Sequence, residues 1–167
     1  MINNVLDYLE RAGKKHPRKV VFADPVHEVT YEECIRIAKQ IGTSIAKTGK
    51  KGKPVAVLID REIESLEIFM GTVYSGNFYV PIGKKLPPGR ISMILESVQP
   101  VCMVIREADR AFAESLSCKV ELLIYEELIQ MPVEEELLQG IRRRHIDTDP
   151  LYAIYTSGST GTPKGVL

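Results

Sequence analysis

The sequence has no surplus of either charge: 22 lysines and arginines stand against 22 aspartates and glutamates in 167 residues. That balance argues against a nucleic-acid or anionic-membrane surface, since both select a basic excess. Cysteine is scarce. Cys34, Cys102 and Cys118 form an odd, widely spaced set that fits neither a disulfide framework nor a zinc site. Cys34 and Cys102 read as small buried hydrophobes. No window of about 18 apolar residues occurs, so no membrane span is expected. Residues 1–10 lack the basic start and long apolar core of a signal peptide, which leaves the cytoplasm as the expected compartment. His16, His27 and His145 have no acidic or cysteine partner at ligand spacing and read as surface residues, so no metal ligand is assigned. The basic run Arg142-Arg143-Arg144-His145 is short and reads as a solvated turn or helix end. No internal repeat and no long linker divide the chain, which points to one domain.

What is present is an ordinary core-forming composition, 44% apolar and 26% charged. Val5, Leu6, Leu9 and Ala12 are spaced for a helix that Asn3 or Asn4 caps and Gly13 ends. Short strands are expected at Lys19 to Ala23 and near Glu28-Val29, separated by Asp24-Pro25. Thr30-Tyr31-Glu32-Glu33 has the spacing of a capping box. It opens a helix with Cys34, Ile37, Ala38, Ile41 and Ile45 on one face, broken by Gly49 and Gly52. Pro54 to Ile59 is continuously apolar, as a strand buried on both faces of a parallel sheet requires. Asp60 then reads as the N-cap of a helix carrying Ile63, Leu66, Phe69, Met70 and Val73 and ended by Gly76. Phe78 to Ile82 is the next strand. Pro87-Pro88 opens another helix. Strands at Val101 to Ile105 and Val120 to Ile124 follow, with short helices near Asp109 to Leu116 and Tyr125 to Gln130. Met131 to Arg144 is a surface helix or loop. This alternation predicts an α/β fold: a mainly parallel sheet with helices on both faces.

The last predicted strand, Tyr152 to Thr156, runs into the loop Thr156-Ser157-Gly158-Ser159-Thr160-Gly161-Thr162-Pro163-Lys164-Gly165. Glycines let backbone amides turn inward around an anion. Serine and threonine hydroxyls add neutral donors, and Lys164 adds a mobile charge for phosphate oxygens. One such ion pair at ~4 Å is worth about 4 kcal/mol before desolvation at an intermediate dielectric. The loop is not a Walker motif. Counting from Gly158, the second glycine of that motif falls on Pro163, Lys164 is followed by Gly165 rather than a hydroxyl residue, and Val166-Leu167 reads as strand. The expected context is strand–loop–strand, with the anion held in the mouth of a hairpin.

Tyr155 to Gly165 resembles the signature of the AMP-binding, adenylate-forming superfamily, which includes nonribosomal-peptide adenylation domains, D-alanine–carrier-protein ligases, acyl-CoA synthetases and luciferases. Val29-Thr30-Tyr31-Glu32-Glu33-Cys34 is similar to that family's Leu-Thr-Tyr-x-Glu-Leu segment. Tyr74-Ser75-Gly76-Asn77-Phe78-Tyr79-Val80-Pro81-Ile82 is similar to its Ala-Gly-x-Ala-Tyr-Val-Pro-Ile segment, most closely in the amino-acid-activating branch. That branch usually continues with Asp; here Gly83-Lys84-Lys85 follows.

The resemblance implies the amino-terminal portion of the large domain of an adenylate-forming enzyme. A carboxylate or amino acid would attack the α-phosphate of ATP, pyrophosphate would leave, and the acyl group would pass to the thiol of a phosphopantetheine carrier protein or of coenzyme A. Thr156, Ser157, Gly158, Ser159, Thr160 and Gly161 would cradle the β- and γ-phosphates, Lys164 would neutralise them, and Mg2+ would bridge phosphate oxygens. The family's catalytic lysine lies beyond the phosphate loop, so residues 1–167 are expected to form an incomplete adenylation domain, inactive alone and prone to self-association through uncovered apolar surface. The alternatives are the acyl-CoA synthetase branch and a non-catalytic module that binds a nucleotide or a partner protein.

Overall fold

A computed structural model describes residues 4–60, 62–156 and 164–166. The first helix, α1 (Val5–Lys15), is capped by Asn4: the Leu6 amide donates to Asn4 Oδ1 at 2.8 Å, and the Asn4 amide donates to Asp7 Oδ2 at 3.2 Å. The helix does not stop at Gly13. A Cβ there would strike Ile35 of the next helix, so the glycine serves close helix–helix approach rather than termination.

A two-stranded antiparallel hairpin follows, β1 (Val20–Ala23) and β2 (Glu28–Thr30). The capping box at the start of α2 (Tyr31–Ala46) forms as the sequence predicts. The Glu33 amide donates to Thr30 Oγ1 at 3.3 Å, and the Thr30 amide donates to Glu33 Oε2 at 3.0 Å.

The core is a four-stranded parallel sheet in the order β4-β3-β5-β6, with β3 (Pro54–Ile59), β4 (Phe78–Gly83), β5 (Met103–Ile105) and β6 (Leu122–Ile124). Alternation along β3 divides it between two cores. Val55 and Val57, with Val104 of β5, meet Ile41 and Ile45 of α2 and Ile68 of α3 (Ile63–Tyr74). Ala56 and Leu58, with Val80, Ile82, Met103 and Ile105, meet Ile91, Ile94 and Leu95 of α4 (Pro88–Val98) and Ala113 of α5 (Arg110–Glu114). Burying each large aliphatic side chain stabilises the fold by about 1.5–3 kcal/mol, which is why this strand tolerates no polar residue. Helices α6 (Tyr125–Leu128) and α7 (Glu135–Arg142) complete the side that holds α2 and α3. Against that side α2 and α3 pack closely: a Cβ on Gly71 would come within 2.6 Å of Ile41 Cβ, and one on Gly42 within 2.6 Å of Tyr74 Cβ.

The predicted α/β architecture is therefore the observed one. A second local expectation fails, after that for Gly13: Asp60 is not the cap of α3. That position is Glu62, which makes no side-chain cap bond, and the Ile63 amide donates instead to Asp24 Oδ2 at 3.3 Å, across 39 residues.

Candidate functional site

Beyond the sheet, Leu151 to Ala153 lies along the edge strand β4. The Tyr79 amide donates to the Leu151 carbonyl at 3.2 Å, the Ala153 amide donates to the Tyr79 carbonyl at 3.0 Å, and Tyr152 bridges Tyr79 in parallel register. Parallel register sends the chain from here toward the carboxyl ends of the strands. An aromatic ladder fixes this level: Phe69 and Tyr79 stack with ring centroids 4.1 Å apart, and Tyr152 tilts against Tyr79 at 5.8 Å.

The chain then forms β7 (Ile154–Thr156), which pairs antiparallel with β8 (Lys164–Val166) in the register Ile154↔Val166, Tyr155↔Gly165, Thr156↔Lys164. Gly165 has a packing reason. A Cβ there would lie 2.9 Å from Tyr155 Cζ, so the ring covers the bare backbone of the paired strand. Tyr155 also reaches α4, its hydroxyl 3.3 Å from Ser97 Oγ. The strand–loop–strand context expected from the sequence is thus present, and it brings the two ends of the loop, Thr156 and Lys164, opposite one another. Ser157, Gly158, Ser159, Thr160 and Gly161 lie outside the described residues.

The parallel sheet has a switch point at its carboxyl end. Strands β3 and β5 are neighbours, but their chains leave to opposite faces, into α3 and α5, a geometry that opens a crevice in many α/β proteins. Here ion pairs bridge it. Arg106 Nη1, just after β5, lies 2.6 Å from Glu62 Oε2 and 3.6 Å from Glu64 Oε1. Lys84, in the segment where the sequence departs from the related pattern, lies 2.8 Å from Asp109 Oδ2 and 3.9 Å from Glu62. The Asp109 contact is close but off the hydrogen-bond direction, so it acts as charge pairing rather than as a directed bond. Deeper in, Tyr125 donates its hydroxyl proton to Glu67 Oε2 at 2.5 Å, and burial raises the Glu67 carboxyl above the ordinary carboxylate range.

Three sequence readings change. His27 does have acidic neighbours: donor atoms of Asp24, His27 and Glu64 lie within 4.8 Å of one another. Asp24 is already committed there, accepting from the Val26, His27 and Ile63 amides, so the group caps a turn and a helix. His145 is half-buried rather than on the surface. Arg142 is not a solvated member of a basic run; its Nη2 lies 2.6 Å from Asp7 Oδ1 and ties α7 to α1. The Arg142 and His145 contacts depend on residues distant in sequence, whereas Asp24 lies only three residues before His27 and was there to be read. The cysteine readings hold: burial pushes the Cys34 and Cys102 thiols up to about 12, which makes both inert packing groups. Among the described residues no helix is long and apolar enough to cross a membrane.

Solved structures share this fold. VinN superposes with a TM-score of 0.78 at 19% identity, covering 99% of this chain and 46% of that one. FmoA3, a nonribosomal peptide synthetase solved with α-methyl-L-serine-AMP bound, gives a TM-score of 0.79 at 24% identity, covering 95% of this chain and 17% of that one. The model of the AMP-binding enzyme family matches residues 9–167, and the chain belongs to that family. Among curated relatives, the D-alanine--D-alanyl carrier protein ligase of Lacticaseibacillus casei (strain BL23) is 27% identical over 166 residues, which covers 99% of this chain and 32% of that protein. Surfactin synthase subunit 1 of Bacillus subtilis (strain 168) is 35% identical over 157 residues, covering 91% of this chain and 4% of that protein. The chain thus spans about a third, or less, of the length of these relatives.

Proposed function

We propose that this chain supplies the polyphosphate-binding part of an ATP-dependent ligase that activates a carboxylate, most closely an amino acid, as its adenylate. The observation that carries this reading is the antiparallel pairing of Thr156 with Lys164, which brings the two flanks of the glycine-rich segment side by side. In that segment, Thr156, Ser157, Gly158, Ser159, Thr160 and Gly161 donate from amides and hydroxyls to the β- and γ-phosphate oxygens, and Lys164 offsets their charge. Such donors are worth most where charge grows in the transition state, on the departing pyrophosphate. The donor set fits ATP: many neutral N–H and O–H groups and one cation. No carboxylate lies between Tyr155 and Gly165, so Mg2+ would be held there by phosphate oxygens and water, as its preference for a partly hydrated octahedral shell allows. ATP when bound supplies the electrophilic α-phosphate and the leaving pyrophosphate. The activated acyl group then passes to a thiol. The likeness to carrier-protein ligases and peptide synthetases supports a phosphopantetheine carrier as the acceptor, with coenzyme A as the other thiol of this chemistry.

Calorimetric titration of the chain with ATP and magnesium tests the reading. Lys164→Ala should weaken binding about tenfold, the part of one ion pair that survives desolvation. Lys85→Ala, outside the hairpin, should leave binding unchanged. Equal binding by wild type and Lys164→Ala would remove the loop from the site.

A further inference from the structure

We propose that the amino-terminal edge of the parallel sheet carries a second binding site, for a small organic anion with an apolar body. This goes beyond the ligase reading, because β7 runs from Tyr152 toward the opposite end of the strands. A cavity of about 330 Å³ opens here, between the start of α1, the turns before β3 and β4, and the segment after α7. That volume lies within the range of small-molecule sites. Val5, Val73, Phe78, Ile141 and Leu151 make its apolar wall.

The floor is Gly76, whose φ of 78° lies in the left-handed region. Three side chains converge above its bare backbone. A Cβ on Gly76 would lie 2.8 Å from Ile141 Cγ2, 3.7 Å from His145 Nε2 and 4.0 Å from Lys51 Cγ. Asn77, 4% exposed, holds the two turns in place by accepting from the Lys53 amide at 3.0 Å and donating to the Lys50 carbonyl at 3.2 Å.

The decisive group is His145. Asn4 Oδ1 accepts from the Leu6 amide as the cap of α1, so the side of the Asn4 amide that faces His145 is its NH2. The 2.8 Å contact between Asn4 Nδ2 and His145 Nδ1 therefore makes Nδ1 an acceptor. A neutral imidazole then carries its proton on Nε2, the atom over the cavity floor, where no described protein group accepts from it. Burial and the neighbouring Arg142 guanidinium both favour the neutral ring, while Asp149 opposes them. This half-buried N–H donates to solvent in the cavity, where an acceptor on a ligand can take the place of water.

The sign of the ligand follows from the rim. Exposed Lys50, Lys51 and Lys53 come from one side, and exposed Arg143 and Arg144 from the other. Lys51 and Arg144 line the cavity itself. Asp147 and Asp149 are the opposing carboxylates, and Asp149 already accepts from the Ile146 amide at 3.0 Å. Two basic segments about 90 residues apart thus meet at one mouth, in a chain whose charges otherwise balance. An anionic group between Nε2–H and the Lys51 and Arg144 side chains, with its apolar body against Val73 and Phe78, uses the donor, both lining cations and the apolar wall, and lies away from Asp149, which is held by the Ile146 amide.

The probe is benzenesulfonate, an anion with no carboxylate to activate and no phosphate to enter the hairpin, compared with uncharged benzenesulfonamide. In proton–nitrogen NMR spectra, benzenesulfonate should shift the Gly52, Gly76 and Leu151 amides and the His145 ring nitrogens saturably, at lower concentration than the sulfonamide. The double variant Lys51→Glu/Arg144→Glu changes only exposed side chains. It should keep the wild-type melting temperature and weaken the sulfonate about tenfold, since two solvent-facing pairs are lost, leaving the sulfonamide unchanged. Three outcomes would overturn the proposal: equal affinity for both probes, unaltered sulfonate binding by the double variant, or shifts confined to the exposed apolar residues Tyr152, Ile154 and Val166.

Discussion

The two ends of the same four-stranded sheet are finished in opposite ways. At the carboxyl end charged and polar groups that follow the strands pair inside the chain, Glu62 with Arg106, Lys84 with Asp109 and Tyr125 with Glu67, while Glu64 Oε2 and Asp109 Oδ2 are buried there without a hydrogen bond. At the amino end a neutral histidine donor faces open space, and the lining cations Lys51 and Arg144 have further exposed cations beside them in sequence, Lys50, Lys53 and Arg143. The contrast reverses the usual expectation for open α/β sheets, whose crevice for ligands lies outside the carboxyl ends. A crevice spanned by its own ion pairs has committed its charged groups to one another. A cavity whose donor is unmatched has not. The difference teaches that position in the fold proposes a site, while the hydrogen-bond account of its groups decides whether the site is open.

The comparison breaks most visibly at the buried pair. Tyr125→Phe leaves Glu67, 2% exposed, without its donor, and should cost about 1–3 kcal/mol in urea unfolding. Adding Glu67→Gln should recover part of that loss, because the buried group then has no charge to hide; a variant as stable as wild type would mean the carboxyl end is not a closed network. Next in size is Lys84→Met, which removes the cation between Asp109 and Glu62. It should cost ~1 kcal/mol, and combining it with Asp109→Asn should cost less than the sum of the two single changes. Strict additivity would show the pair is not coupled.

The smallest effect belongs to the amino end and depends on pH. The folded-state pKa of His145 is depressed below its ordinary value of 6.5. Below that pH the unfolded chain takes up its proton first, so this contribution to stability is complete above about pH 6.5 and is lost as pH falls through the folded pKa. The molecular event is the loss of the Nδ1 acceptor that Asn4 uses. Relative to His145→Gln, wild type should lose stability between about pH 7 and about pH 5. Parallel stability profiles for the two proteins would show that the ring does not titrate out of this contact.

Much of the fold was legible because its signals are short-range. A capping box needs residues three apart, and Thr30 and Glu33 form it as read. A strand buried on both faces needs an unbroken apolar run, and Pro54–Ile59 is that strand. Pro88 opens α4, and Gly76 takes the left-handed turn that follows α3. The strand–loop–strand context of the glycine-rich segment was legible too, because an apolar strand precedes it and Val166-Leu167 reads as strand after it; that Tyr155 covers Gly165 is seen only in the fold. Local signals misled where a distant residue took over the job. Gly13 looked like a helix end but is the contact point for Ile35. Asp60 looked like a helix cap, yet Asp24 holds the Ile63 amide.

By itself, then, the sequence determined the alternation of strands and helices, the parallel sheet, the strand–loop–strand signature and the family. Those follow from period, caps and turn chemistry within a few residues, which the chain carries wherever it goes. Only the tertiary structure decided the protonation pattern of His145, the pairing of Arg142 with Asp7, the Glu67–Tyr125 bond and the meeting of two basic segments around one cavity. The partners in these contacts are 58 to 141 residues apart, so no window of sequence contains both. Burial then sets their strength, because a donor or acceptor withdrawn from water must find its partner in whatever packing brings near.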